Sequence, residues 1–305
     1  MVLPILNSRQ LGVLDESGEL VRTLGRSGEG PGEFGRIGRV GAIGEVIWAY
    51  DMALRRMTTF DSESAVTTTQ VPGANLWAFV GTGGVYGRYR DTGRDADGNH
   101  RWRLEVGPEP TGASMTSLHL CRTSDAFQRI EVAGVRAQVP MPWGSRCPAD
   151  VGPRHSTVAV LEADGSEVHI IDVGNGRTHV VKLDLAQGEV TSAFVDRWIE
   201  LVLEGDNTPP NLGAEIRSRL APPRHLPMAV DVRLAGPDTF WVALGTDVER
   251  RSWVRFDRGR ATVGVRFTRE GRLLYASRTH LWVLERAELD VPELVRYRVV
   301  LPDEG

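Results

Sequence analysis

The sequence contains no long apolar segment and almost no lysine. Its 305 residues include nothing near the roughly 20 consecutive apolar residues that a membrane-spanning helix needs. The opening residues MVLPIL are too few for the apolar part of a signal peptide, and no basic residue precedes them. Lys182 is the only lysine among 36 basic residues, and the formal net charge is −4. That balance disfavours a nucleic-acid partner, because nucleic-acid-binding domains usually carry a basic surface.

Local motifs of catalysis are also absent. No Gly-x-Ser-x-Gly sequence is present, which disfavours a serine hydrolase. Neither a His-x-x-x-His nor a Cys-x-x-Cys pair indicates a metal site. The sequence therefore assigns no catalytic, cofactor-binding or metal-binding residue, and it predicts no cofactor. The histidines occur singly, at His100, His119, His155, His169, His179, His225 and His280.

The two cysteines, Cys121 and Cys147, leave two readings open. They form a disulfide in an oxidising compartment, or they remain small buried thiols. Their spacing alone does not decide between these states, because a disulfide requires a specific geometry of the two side chains.

What the sequence does contain is a recurring strand pattern. Trp48, Trp241 and Trp282 each lie in the middle of an apolar, strand-like segment, and 12 to 15 residues later comes the aromatic residue of a second such segment. An Asp and a Gly or Ser turn then lead into a third alternating strand. Repeats of about 40 to 50 residues built from short strands are typical of β-propellers, in which each sheet buries its faces against its neighbours.

We interpret residues 1–305 as one all-β domain, a six-bladed β-propeller of four-stranded antiparallel blades. The first unit lacks its innermost strand and the last ends after its third strand, so we expect further sequence before Met1 that completes the ring. We also expect the three strand-centre tryptophans to be buried on second strands of different blades. The six units are 1–35, 36–72, 73–125, 126–185, 186–270 and 271–305.

The glycine-rich run at 25–34, GRSGEGPGEF, predicts a turn between the first two units. Glycine leaves too many backbone conformations open, and proline lacks the N–H of a sheet ladder, so a helix or regular strand is disfavoured. At least one of Gly28, Gly30 and Gly32 should have positive φ. The alternative, a phosphate-binding loop, lacks the Lys-Ser/Thr ending of a P-loop and opens no helix.

One segment departs from the strand pattern and predicts helices. Between 191 and 204 apolar residues recur at helical spacing, with Thr191 or Ser192 as the N-cap and Gly205 as the end. A second short helix is expected at about 212–220. We interpret 191–220 as a helical insertion in the fifth unit, over one face or the rim of the propeller.

The run 20–34, followed by 46–51 and 56–61, resembles bacterial six-bladed β-propeller proteins related to NHL repeats. The segments 281–286 and 295–299 resemble the last blade of the same proteins, whereas 73–185 are only loosely similar. The resemblance implies the fold, and it implies a periplasmic or extracellular location. The residues themselves show no signal peptide and leave a cytoplasmic location open.

Several polar groups have two interpretations each. Asp51 and Arg56 lie at a strand–turn–strand junction, and they predict an ion pair inside a blade rather than a functional site. The segment 95–99, DADGN, is a hairpin tip or a calcium loop, and it lacks the downstream Glu of an EF-hand. The segments 86–90 and 101–103 alternate Arg with Tyr or Trp, which fits a half-exposed outer strand better than a polyanion-binding surface.

These observations favour a non-enzymatic binding or scaffold propeller with a protein or small-molecule ligand on one face. The alternative is a propeller enzyme, a lyase or a lactonase-like hydrolase, with a metal in the axial channel. Three or more His, Asp or Glu side chains converging on that channel would favour the enzyme. An apolar or merely wet channel would favour the binding protein.

Overall fold

The structure is a computed structural model, and it describes most of the chain. In the described residues the chain is mostly β-strand, with two α-helices. The described residues are 1–5, 8–15, 17–43, 45–63, 65–71, 76–80, 86–96, 99–107, 115–123, 127–132, 135–143, 147–151, 157–203, 211–249, 252–269, 271–286 and 292–301.

Strands from the first half of the chain form three antiparallel sheets and one short parallel pair, in which neighbours in sequence are neighbours in the sheet. Sheet 1 contains β1 (Val2–Ile5), β2 (Gln10–Leu14) and β3 (Leu20–Leu24). The parallel pair consists of β4 (Arg26–Ser27) and β5 (Glu33–Phe34). Sheet 2 contains β6 (Ile37–Ile43), β7 (Val46–Asp51), β8 (Arg56–Phe60) and β9 (Val66–Gln70). Sheet 3 contains β10 (Leu76–Val80), β11 (Tyr86–Arg94), β12 (His100–Gly107) and β13 (Thr116–Thr123).

The second half repeats this arrangement, with a hairpin before it and two helices within it. The hairpin pairs β14 (Phe127–Val132) with β15 (Val135–Pro140). Sheet 4 contains β16 (Ala149–Val151), β17 (Thr157–Leu161), β18 (Glu167–Asp172) and β19 (Thr178–Lys182). The helices are α1 (Ser192–Leu203) and α2 (Leu212–Arg219). Sheet 5 contains β20 (Ala229–Gly236), β21 (Thr239–Leu244), β22 (Ser252–Asp257) and β23 (Arg260–Arg266). Sheet 6 contains β24 (Gly271–Ala276), β25 (His280–Arg286) and β26 (Pro292–Arg298).

The prediction of mostly antiparallel β-structure is confirmed. Sheets 2 to 5 have four strands each, and sheets 1 and 6 have three, as the incomplete first and last units led us to expect. The three strand-centre tryptophans are buried and lie on the second strands of three different sheets, as expected: Trp48 on β7, Trp241 on β21 and Trp282 on β25.

In sheets 2, 4 and 5 the second strand is much more buried than the fourth. The second strands β7, β17 and β21 are buried along nearly their whole length, whereas the fourth strands β9, β19 and β23 are mostly exposed. A strand covered on both faces loses the polar–apolar alternation that a half-exposed strand shows. The second strands therefore lie in the core, between neighbouring sheets.

Consecutive sheets pack against one another through separate apolar clusters. Phe34 and Phe60 belong to the cluster between sheets 1 and 2, and Phe240 and Phe256 belong to the cluster between sheets 4 and 5. Further clusters join sheets 2 and 3, sheets 3 and 4, and sheets 5 and 6. The first strands follow the same order, because β1 contacts β6, β6 contacts β10, and the series continues through β16 and β20 to β24.

The glycine-rich turn is a compact loop, as predicted. Gly28 has φ +148° and Gly32 has φ +72°, and Phe34 is fully buried. The expected ion pair of Asp51 and Arg56 is wrong. The carboxylate of Asp51 accepts four backbone N–H groups, and the guanidinium of Arg56 donates to three backbone carbonyls of the glycine-rich run. The two side chains are neighbours across a hairpin, but they hold different segments of backbone.

The two helices are confirmed, and they lie between sheets 4 and 5 in the chain. The hydroxyl of Thr191 accepts a hydrogen bond from the N–H of Phe194 at 3.1 Å, which is the expected N-cap. The expected end at Gly205 lies outside the described residues. Trp198 and Ile199 of α1 and Ile216 of α2 share one apolar cluster. In the described part of the chain, no helix is both long and apolar enough to cross a membrane.

Candidate functional site

First strands of four different sheets line one cavity of about 140 Å³, which we call the central cavity. Arg39 lies on β6, Ala149 on β16, Asp231 and Arg233 on β20, and Arg272 on β24. Sheets 2, 4, 5 and 6 therefore converge on this cavity although they are far apart in sequence. Charged side chains from strands of sheets 2, 5 and 6 line it.

One pair of opposite charges in the central cavity is locked in place. Both amino groups of the Arg233 guanidinium donate to Asp231, at 2.7 and 3.0 Å, and both side chains are less than 20% exposed. Arg233 also donates to the carbonyl of Val232 at 2.6 Å and lies 6.0 Å from the ring centre of Trp253. These contacts fix the guanidinium, so Asp231 is already neutralised by a partner.

A second carboxylate lies beside this pair. Asp150 of β16 accepts a hydrogen bond from the N–H of Leu234 at 2.8 Å. Burial raises the pKa of Asp150, although the charge of Arg233 and this hydrogen bond oppose the change. Burial and then the charge of Asp150 also raise the pKa of Tyr275. The inner strands therefore hold ionisable groups close together in a poorly solvated place.

A cluster of two histidines and one glutamate adjoins the central cavity. Nε2 of His119 lies 2.8 Å from Oε1 of Glu162, and Nε2 of His169 lies 3.2 Å from the same oxygen. The two imidazole rings are 4.5 Å apart between centres, and the three ligand atoms lie within 4.8 Å of one another. Glu162 also lines the central cavity, so it belongs to both features. Among the described residues these three could hold a metal ion.

The environment of this cluster favours a charged Glu162 and a neutral His169. The contact with His119 is the main reason that the pKa of Glu162 is lowered, while burial opposes it. Burial and then the charge of His119 lower the pKa of His169, and Glu162 and Glu167 oppose that change. Neutral imidazole and ionised carboxylate are the forms that bind a metal.

Strand pairing and a disulfide position the cluster. His119 lies on β13 of sheet 3, whereas Glu162 follows β17 and His169 lies on β18 of sheet 4. Cys121, two residues from His119, is joined by a disulfide to Cys147, with 6.4 Å between the Cα atoms. Cys147 also lines the central cavity, and its carbonyl accepts a hydrogen bond from the Tyr89 hydroxyl at 3.0 Å. Of the two cysteine states that the sequence left open, the structure has the disulfide.

The other polar groups singled out in the sequence lie away from this cluster. Arg88 is buried and pairs with Glu105 at 3.1 Å, so it belongs to the interior and not to a polyanion-binding surface. Its strand β11 is the second of sheet 3, so the expectation of an outer strand is wrong. Asp95 and Asn99 exchange hydrogen bonds across a hairpin tip, and residues 97 and 98 between them lie outside the described part.

The lining of the central cavity does not meet the condition that would favour the enzyme. Its described lining has two carboxylates, Glu162 and Asp231, and the two histidines of the cluster lie on β13 and β18, away from the first strands. The lining is not apolar either, because three arginines contribute to it. The sequence pointed to no histidine pair, since His119 and His169 are 50 residues apart and come from different sheets.

No family model matches the sequence, and no curated protein matches it significantly. Solved structures that resemble the chain include propeller-type proteins. A catalytically inactive virginiamycin B lyase from Staphylococcus aureus, with quinupristin, is 9% identical, with a TM-score of 0.46 over 96% of this chain and 89% of that one. Hsv2 from Kluyveromyces lactis is 11% identical, with a TM-score of 0.41 over 99% and 83%. A Bacteroides fragilis protein named as exported is 13% identical, with a TM-score of 0.46 over 93% and 77%.

Proposed function

We propose that residues 1–305 form one six-bladed β-propeller of the NHL-related type, with sheets 1 to 6 as its blades. The convergence of four first strands on the central cavity supports a ring around a common axis. A contact between the ends of the chain supports its closure, because a Cβ placed on Gly18 of sheet 1 would lie 3.1 Å from Cζ3 of Trp282 in sheet 6.

Matched glycine variants test the ring closure. Gly18 has φ +94° and Gly93 has φ +95°, but a Cβ on Gly93 would meet nothing within 4 Å. Alanine costs similar backbone strain at both positions, so we expect Gly18→Ala to lower the melting temperature more than Gly93→Ala does. Equal losses would contradict a packed contact between the first and last sheets.

We propose further that the protein is a binding protein that holds a small anionic ligand in the central cavity. The volume of about 140 Å³ is below the roughly 300–1,000 Å³ of pockets that enclose drug-sized ligands, so a small ligand fits best. Asp231 is neutralised by Arg233, and Arg39 adds a further guanidinium group to the wall. Guanidinium groups bind carboxylate and phosphate through paired hydrogen bonds.

Thermal unfolding in the presence of small carboxylates and inorganic phosphate tests this function. A bound ligand stabilises the fold by about 2.7 kcal/mol at 100 times its Kd. We expect at least one of these anions to raise the melting temperature, and Arg39→Gln to abolish the rise. Arg260→Gln is the matched control, because Arg260 is an exposed arginine on the outer strand β23. A rise that survives Arg39→Gln, or no rise with any anion, would contradict the proposal.

An enzymatic role is the second candidate, and the cluster of His119, Glu162 and His169 beside the cavity favours it. It would be a metal-dependent lyase or lactonase-like hydrolase whose substrate occupies the central cavity. Turnover of ester and lactone substrates by metal-free protein, with and without added Zn²⁺, tests it. Activity that requires both the metal and Glu162 would favour the enzyme over the binding protein.

We also propose that the protein works outside the cytoplasm. The disulfide of Cys121 and Cys147 supports this location, because disulfides persist in oxidising compartments and are rare in the cytosol. Alkylation of free thiols in intact cells, followed by gel analysis, tests it. Two alkylated cysteines per chain after this treatment would contradict an extracytoplasmic location.

A further inference from the structure

We propose that Nε2 of His119, Oε1 of Glu162 and Nε2 of His169 bind one divalent transition-metal ion of the Zn²⁺ class. Two imidazole nitrogens and one carboxylate oxygen form a common donor set of such ions, particularly where the site retains an open position for water or a substrate. The inference rests on the three side chains alone, and it holds whether the central cavity binds an anion or not.

His119 and Glu162 form a close contact that lacks good hydrogen-bond geometry. Nε2 of His119 is buried and has no hydrogen-bond partner, although it lies only 2.8 Å from Oε1 of Glu162. Nε2 of His169 approaches the same oxygen at 3.2 Å. A buried polar atom without a partner is costly, and native proteins rarely leave one. A cation placed between the three atoms would satisfy all of them.

The separations fit the size of the ion. Bonds of 2.0–2.1 Å at tetrahedral angles place two ligand atoms about 3.3 Å apart. The observed 2.8 and 3.2 Å lie within about 0.5 Å of that value, so small movements of the side chains suffice. The side chains of His119, Glu162 and His169 are 11%, 25% and 17% exposed. These fractions leave a path by which the ion can enter, while most of each side chain stays shielded from solvent.

The backbone around the site is already fixed. Val160 and His169 are register partners between β17 and β18, and the N–H of Glu162 donates to the carbonyl of Glu167 at 2.9 Å across the hairpin. The disulfide at Cys121 joins the strand that carries His119 to the wall of the central cavity. A site of this kind loses little conformational entropy when the ion binds.

Titration of tag-free, metal-stripped protein with Zn²⁺ tests the site. Isothermal titration should give one ion per chain, and Co²⁺ substitution should give the visible absorption of a tetrahedral site. We expect His169→Gln to weaken Zn²⁺ binding at least roughly 100-fold, because loss of even an outer partner of a ligand typically costs 10- to 100-fold. His179→Gln is the control, since His179 is an exposed histidine on β19.

Two further results decide the proposal. Glu162→Gln retains the size of the side chain, and we expect it to keep the circular dichroism of the parent while it loses most of the Zn²⁺-dependent rise in melting temperature. Zn²⁺ binding that is equal in His169→Gln and His179→Gln would overturn the site, as would the absence of stoichiometric binding to the parent. Arg39→Gln should leave Zn²⁺ binding unchanged, so failure of the anion proposal is distinguishable from failure of this one.

Discussion

Replacement of Arg56 by methionine tests how the glycine-rich turn is held. The buried guanidinium donates to the carbonyls of Glu29, Gly30 and Glu33 at 2.6, 2.7 and 2.7 Å. Methionine keeps the length and apolar stem of the side chain but removes every donor. A hydrogen bond to a charged group contributes about 1.5–3 kcal/mol, and the three are not additive. Two of the carbonyls lie in an accessible loop and can bind water, so we expect a loss of about 2–4 kcal/mol.

Equilibrium unfolding in urea measures this loss, and Arg26→Met is the matched control. Arg26 also contacts the turn, through the carboxylate of Glu33 at 2.7 Å, but its side chain is 78% exposed. Exposed ion pairs contribute little, so the control should differ little from the parent. Equal losses in the two variants, or a loss below about 1 kcal/mol for Arg56→Met, would refute the idea that Arg56 anchors the turn.

Two further predictions concern the disulfide and Asp150. The double substitution Cys121→Ser and Cys147→Ser should lower the free energy of unfolding by up to about 3.5 kcal/mol, because the disulfide closes a loop of 26 residues. Mild reduction of the parent should give the same loss. The folded-state pKa of Asp150 is raised, so its ionised form penalises folding at neutral pH and the penalty disappears as the pH falls below the unfolded-state pKa. Asp150→Asn should therefore be more stable relative to the parent at about pH 7 than at about pH 4. Urea unfolding of both proteins at both pH values measures this difference. A difference of the opposite sign would contradict burial as the cause.

The repeating strands could be predicted because each carries its own local signal. Trp48 and Trp241 lie in short apolar runs bounded by turn residues, and both are buried on second strands. The helix from Ser192 to Leu203 has apolar residues at helical spacing and a capping Thr191. Such signals depend on neighbours within about a dozen residues, and they survive folding because the tertiary contacts reinforce them.

The polar contacts could not be predicted, because they join segments that are distant in sequence. Asp51 and Arg56 are register partners on a hairpin, which made an ion pair the natural prediction. The buried backbone groups of the glycine-rich turn compete for both side chains, and a buried N–H or carbonyl must find a partner. His119 meets Glu162 only because sheets 3 and 4 pack side by side, and nothing in either local sequence encodes that contact.

Glu162 gives a last prediction, because it lines the central cavity and belongs to the histidine cluster. Without a metal its carboxylate places a negative charge on the wall near the arginines, and a bound Zn²⁺ would neutralise that charge. We therefore expect Zn²⁺ to tighten binding of a small anion in the cavity, and thermodynamic linkage requires the anion to tighten Zn²⁺ by the same factor. Titration of each ligand in the absence and presence of the other measures both factors, and Glu162→Gln should remove the coupling. Anion binding that is indifferent to Zn²⁺ would show that the carboxylate does not connect the two sites.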